Sequence, residues 1–108
     1  MFVENNSILS ESVAHGVTRK VLAHGGSLMM VEVKFEKGAI GSIHSHVHEQ
    51  ISYVTQGCLE FNLYGDKRIL HAGDTVYIPS NVAHGVLSLE DDTIIIDVFT
   101  PLRQDFLK

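Results

Sequence analysis

Two groups of residues in this chain have the types and spacing to do chemistry. The first is His44, His46, Gln50 and His84. His44 and His46 stand two apart on a stretch that reads as extended, and strand alternation turns both imidazoles to one face. A metal ion needs convergent donors, and two neutral imidazoles on one face supply two. Gln50 opens the next apolar run, and His84 arrives after a separate hairpin. Three imidazoles and one side-chain oxygen make a site with positions left for water or substrate. From spacing alone, scattered histidines that are each satisfied separately remain the other reading.

The second group is Asp97, Phe99 and Arg103. Asp97 interrupts the apolar run Thr93 to Phe99, where a carboxylate is costly unless it is paired, ligated or used. Asp97 and Phe99 share a strand face. Arg103 follows Pro101, where the chain can fold back over a barrel mouth. Arg103 could grip a carboxylate with its planar fork, Asp97 could move a proton, and Phe99 could pack against a sugar ring. The simpler reading of the spacing is an Asp97–Arg103 ion pair that closes the barrel.

The elements that must position these groups are strands. No stretch of a dozen residues carries an i, i+3, i+4, i+7 apolar stripe. Short runs recur instead at 17–24, 28–36, 43–46, 50–55, 58–64, 67–71, 75–78, 85–89 and 93–99. Met29, Val31, Val33 and Phe35 fall on one face of the second run, and Leu59, Phe61 and Leu63 on one face of the fifth. Gly25-Gly26, Lys37-Gly38, Gln56-Gly57, Gly65-Asp66 and Asp91-Asp92 mark turns. Such spacing predicts an all-β barrel or sandwich. The tail 101–108 is expected to form a turn of helix or to lie across the barrel.

Composition bounds the function. The chain has 108 residues, 44% hydrophobic and 19% charged, which is one globular domain's worth. A net charge of −5 leaves no basic face for a phosphate backbone, so nucleic acid is not expected as a partner. The same charge repels anionic small molecules, so an acidic substrate needs locally placed cations. Cys58 has no partner for an internal disulfide and reads as a small, reduced core residue. The first residues carry Glu4 where a signal peptide would be basic, with no apolar stretch behind, and no run is long enough to span a membrane. The cytoplasm is the expected location.

The residues from Gly38 through His44, His46 and Gln50 to Gly57 resemble the first motif of the cupin family, and Gly73 through Pro79 to His84 resembles the second. Asn81 stands where many members carry glycine. The resemblance implies a single-domain double-stranded β-helix, or jelly-roll, over 1–108, with its core at about 17–100. It implies a divalent metal ion (Zn, Ni, Mn, Fe or Co) on His44, His46, Gln50 and His84. The motif spacing selects Gln50 over His48, which is expected in a short loop before the strand, and Glu49 points the other way. His15, His24 and His71 lie outside both motifs. Gln50 is neutral, so a divalent site keeps its full charge, which favours Lewis-acid work over redox chemistry.

A narrower likeness covers residues 19–107. The stretches 19–24, 31–38, 44–54 and 97–106 are similar to the pectin-degradation proteins of the KdgF type, with Val47 a departure where relatives often have proline. That resemblance implies conversion of 4,5-unsaturated uronate monosaccharides, released by pectin or alginate lyases, to linear 5-keto-4-deoxyuronate. It implies catalytic roles for Asp97 and Arg103 and substrate contacts from Phe99, Arg103 and Gln50. Another metal-dependent cupin reaction, a dioxygenase or isomerase, and a non-catalytic module for small acids are the competing functions. A barrel this short leaves exposed strand edges, so a homodimer is expected.

Overall fold

The computed structural model describes residues 1–107. Ten strands run in chain order: β1 (Glu11–Ala14), β2 (Val17–Gly25), β3 (Leu28–Phe35), β4 (Ile40–His44), β5 (Glu49–Gln56), β6 (Cys58–Leu63), β7 (Asp66–His71), β8 (Thr75–Ile78), β9 (His84–Ser88) and β10 (Thr93–Thr100). They form two antiparallel sheets, one ordered β1-β2-β3-β10-β5-β8 and the other β4-β9-β6-β7. The two inner faces share one apolar core, with Val17, Phe35, Val54, Ile78 and Ile95 from the first sheet against Leu59 and Phe61 from the second. The expected jelly-roll architecture is the one observed. Among the described residues no helix is long and apolar enough to cross a membrane.

Eight strands coincide with the runs read from the sequence to within a residue at each end. The other two are corrections. β1 has no counterpart among those runs, because four residues are too few for alternation to show. It forms because Gly16, at φ +71°, closes a hairpin that pairs Glu11 with Arg19, and Arg19 Nη2 meets Glu11 Oε1 at 2.8 Å. The first strand therefore begins at Glu11, whereas the buried core begins at Val17. β4 runs from Ile40 and stops at His44, so His46 lies beyond it.

The site is placed by the pairing of β10 with β5. Along β10, Thr93, Ile95, Asp97 and Phe99 face inward. Along β5, Gln50, Ser52 and Val54 do the same. The register sets Ile95 opposite Val54, Asp97 opposite Ser52 and Phe99 opposite Gln50. One end of the inner face is therefore apolar and the other polar. Beyond β10, Thr100–Pro101 is a cis peptide, and Gln104–Phe106 makes a single 3-10 turn. Leu102, Phe106 and Leu107 pack on Met29, Val31 and Phe99. The tail thus both turns and lies across the barrel end, with Lys108 outside the described residues.

Gly57 joins β5 to β6 at φ +82°, and a Cβ there would sit 2.4 Å from Thr93 Oγ1 and 2.8 Å from Thr93 Cα. Thr93 cannot yield, because its hydroxyl donates to Glu90 O and accepts from Cys58 N–H in the interior. Gly57→Ala combines backbone strain with overpacking and is expected to cost at least ~2 kcal/mol in chemical denaturation. A loss below about 0.5 kcal/mol, the usual surface value, would contradict this tight contact.

Candidate metal centre

His44 is the last residue of β4 and lies opposite His84, the first residue of β9. That pairing brings their rings to 4.6 Å between centroids. His46 was expected to share a strand face with His44, but it sits in the loop after β4. The neighbouring loop holds it there instead. Asn81 N–H donates to His46 O at 2.7 Å, and Ser80 Oγ donates to Val47 O. Asn81 has φ +64°, in the left-handed region that asparagine tolerates better than most residues. Asparagine therefore satisfies the same backbone demand as the glycine seen in other cupins.

The ring orientations follow from hydrogen-bond polarity. Each Nδ1 lies against a backbone carbonyl: His44 to Ser42 O at 3.1 Å, His46 to His48 O at 3.0 Å and His84 to Val82 O at 3.0 Å. A carbonyl only accepts, so each Nδ1 carries its proton and leaves a lone pair on Nε2. Burial pushes all three imidazoles below their ordinary pKa, and the positive charge of Arg103 adds to the effect. They are therefore neutral donors near pH 7. One ligand nitrogen from each lies within 4.8 Å of the other two.

Gln50 completes the set. Its Oε1 stands 3.1 Å from His46 Nε2. Both atoms are acceptors in these states, and two lone pairs so close are satisfied by a shared cation. The residues thus fit a divalent ion with nitrogen and neutral oxygen ligands. His48 stands outside the cluster. Its Nε2 donates to Leu102 O at 3.1 Å, which ties the loop to the tail. Glu49 is exposed and accepts from the Tyr77 hydroxyl. His15, His24 and His71 are exposed on the surface.

Asp97 lies beneath the cluster, 7% exposed. Burial pushes its pKa up to about 6, against the pull of hydrogen bonds from Ser52 and Gln50 and of the Arg103 charge. The Asp97–Arg103 ion pair, the simpler of the two readings of the spacing, does not form. Arg103 is paired with Asp105 instead, through Nε at 3.1 Å and Nη2 at 2.8 Å. The reason is local, because the turn after Pro101 places Asp105 two residues from Arg103 at the surface, whereas Asp97 is buried below. The Arg103 guanidinium also stacks 5.2 Å from the Phe99 ring and 4.2 Å from the Phe106 ring. His44, Gln50, His84, Asp97, Phe99 and Arg103 line one cavity.

Three residues of this site were not singled out from sequence: Arg19 and Phe106, which line the cavity, and Ser52, which bonds to its lining residues Gln50 and Asp97. Ser52 could have been, because it shares the inward parity of Gln50 and Val54 on β5. Arg19, whose guanidinium lies 3.8 Å from the Phe106 ring, and Phe106 itself meet only through the folded tail and leave no local signal.

A family model of the cupin domain matches residues 31–99. The pectin degradation protein KdgF of Dickeya dadantii (strain 3937) is 47% identical over 98 residues, covering 90% of this chain and 89% of that protein. The structure of KdgF from Halomonas sp. superposes with a TM-score of 0.96 at 44% identity, over 99% of this chain and 98% of that one. An RmlC-like cupin from Shewanella frigidimarina NCIMB 400 gives a TM-score of 0.93 at 37% identity, over 98% and 95%. The likeness spans nearly the whole chain, and the chain belongs to the cupin family, among the KdgF pectin-degradation proteins.

Proposed function

We propose that this protein opens the ring of 4,5-unsaturated uronate monosaccharides and yields the linear 5-keto-4-deoxyuronate. One observation carries the reading: a single cavity lined by candidate metal ligands, a buried carboxyl of raised pKa and a cation. The likeness to KdgF proteins directs it to pectin-derived uronates. The reaction is an isomerisation. The C1 hydroxyl loses its proton, the bond between C1 and the ring oxygen breaks, C1 becomes an aldehyde, and the C5 enolate becomes a ketone by protonation at C4.

His44, His46, Gln50 and His84 would hold a divalent ion that supplies Lewis acidity to substrate oxygens. Arg103 binds the C6 carboxylate bidentately. Asp105 occupies that fork otherwise, and at 59% exposure its side chain can swing into water when substrate arrives. Phe99 packs beneath the ring and keeps water from the reacting bond. Asp97, with a pKa of about 6, is suited to carry the proton that leaves O1 or the one that arrives at C4.

We also read the chain as a cytoplasmic homodimer. Met30, Ile51 and Tyr77 lie with Val98 in one row across the outer face of the larger sheet, an apolar stripe that a second copy would cover. Cys58 is a free thiol, which suits a reducing compartment. Light scattering at the mass of one chain, 11.9 kDa, would remove the dimer.

Metal-loaded protein is expected to accelerate loss of the conjugated C=C absorbance of 4,5-unsaturated galacturonate over the spontaneous rate. Arg103→Ala should lower kcat/KM by roughly 10²-fold, the value of a lost charge-assisted pair, and Asp97→Asn should lower kcat by about 10²-fold or more. Full activity in Asp97→Asn would remove the proton-carrying role. No acceleration with any divalent metal would reject uronate opening and turn attention to oxygen uptake or ligand binding.

Asp97 also makes a prediction for metal-free protein. A carboxyl whose pKa is raised on folding favours the folded state while it is protonated. That contribution is complete below the ordinary value of 3.8 and is lost as pH rises through about 6. The total is about 3 kcal/mol. Denaturation of wild type and Asp97→Asn at pH 4 to 7 should show the variant gaining relative stability as pH rises. A constant difference would contradict the buried, raised carboxyl.

A further inference from the structure

Gln50, Ser52 and Asp97 form a directed chain of hydrogen bonds in the barrel interior. Their exposures are 5%, 1% and 7%. The direction is set at the Asp97 end. An ionised carboxylate only accepts, so the Ser52 hydroxyl must donate, and Ser52 Oγ lies 2.6 Å from Asp97 Oδ1. The serine proton is then committed, and the oxygen has only lone pairs left to offer. Whatever meets it from the other side must be a donor. Gln50 Nε2 is that donor, at 2.9 Å. The same amide also lowers the energy of the Asp97 carboxylate directly. With its nitrogen drawn inward, the amide has one orientation left, and Oε1 faces His46 Nε2.

We infer that Ser52 is a positioning residue for the metal centre: with Asp97 it reads the nitrogen end of the Gln50 amide, aims Oε1 at the ion and specifies glutamine over glutamate at position 50. The inference rests on the reading of Gln50 as a ligand. A glutamate at that position has no donor for Ser52. It would set two carboxylates on one hydroxyl, in an interior where an unmatched acceptor is costly. The chain also explains why the cluster contains a neutral ligand. The negative charge lies one step back, on Asp97, and reaches the ion only through hydrogen bonds.

The test is Co(II) affinity, measured by visible absorption against a competing chelator at pH 8, with thermal melts of each metal-free variant. Ser52→Ala frees the amide to rotate and should weaken Co(II) binding 10-fold or more, the usual effect of removing a group that orients a ligand. Ser52→Thr keeps the hydroxyl and should recover most of that loss. Gln50→Glu alone should bind no more tightly than wild type, although a carboxylate is intrinsically the stronger ligand. Gln50→Glu combined with Asp97→Asn lets the chain reverse: the new amide on β10 donates to Ser52, and Ser52 donates to the new carboxylate on β5. The double variant should therefore bind at least 10-fold more tightly than Gln50→Glu.

Additive effects of the two substitutions, or Gln50→Glu binding more tightly than wild type, would overturn the relay and leave the metal centre standing. Wild type that binds no Co(II) would take down the metal-centre reading and the relay with it. The double variant and Ser52→Thr keep the question decidable if Ser52→Ala fails to fold, as the metal-free melt would reveal.

Discussion

A carboxylate buried in an apolar strand is the constraint on which this protein is organised. Asp97 shares its inward face with Ile95 and Phe99, where an unpaired charge would cost several kcal/mol. β5 answers it directly across the sheet with Ser52, and one step along with Gln50. Because side chains alternate with a period of two, this register decides the whole site at once. A slip of one residue would turn Gln50 and Ser52 outward and bring Ile51 and Tyr53 in. The apolar pairs further along, Ile95 with Val54 among them, are what hold the register.

The same arrangement divides labour between the two ends of the barrel. Phe35, Val54, Leu59 and Ile78 fill one end and need nothing but each other. At the other end, two aromatic rings carry the histidines. Phe61 stacks parallel to His84 at 6.3 Å, and Phe99 meets His46 edge-on at 5.8 Å. His44 and His84 are fixed at strand ends, whereas His46 depends on the latch from Asn81 and Ser80. The candidate donors therefore come from the end of β4, the loop after it, β5 and the start of β9, held by strand pairing and, for His46, by the loop latch. Such preorganisation keeps the cost of assembling a metal site out of the binding step.

Much of this was legible in the sequence. Alternation and glycine-marked turns located eight strands, and the spacing of His44, His46, Gln50 and His84 pointed to residues that the fold brings together. What escaped reading has physical reasons. β1 is too short to alternate. His46 reaches the cluster from a loop, so its direction is a property of contacts with residues 79–83 rather than of its own segment. The partner of Arg103 turned on whether the chain after Pro101 curls tightly, and the single 3-10 turn there hands it Asp105. Ser52 was visible by parity, but its meaning required knowing that Asp97 lies directly opposite, which is a long-range fact of register.

The function turns on whether four separate donors share one ion. The direct measurement is anomalous diffraction from crystals soaked in a zinc or cobalt salt, collected at the metal edge. One strong peak is expected, about 2.0–2.2 Å from the Nε2 atoms of His44, His46 and His84 and from Gln50 Oε1. A peak held by Nδ1 atoms or by surface carboxylates such as Asp105, or no peak inside the barrel, would contradict it.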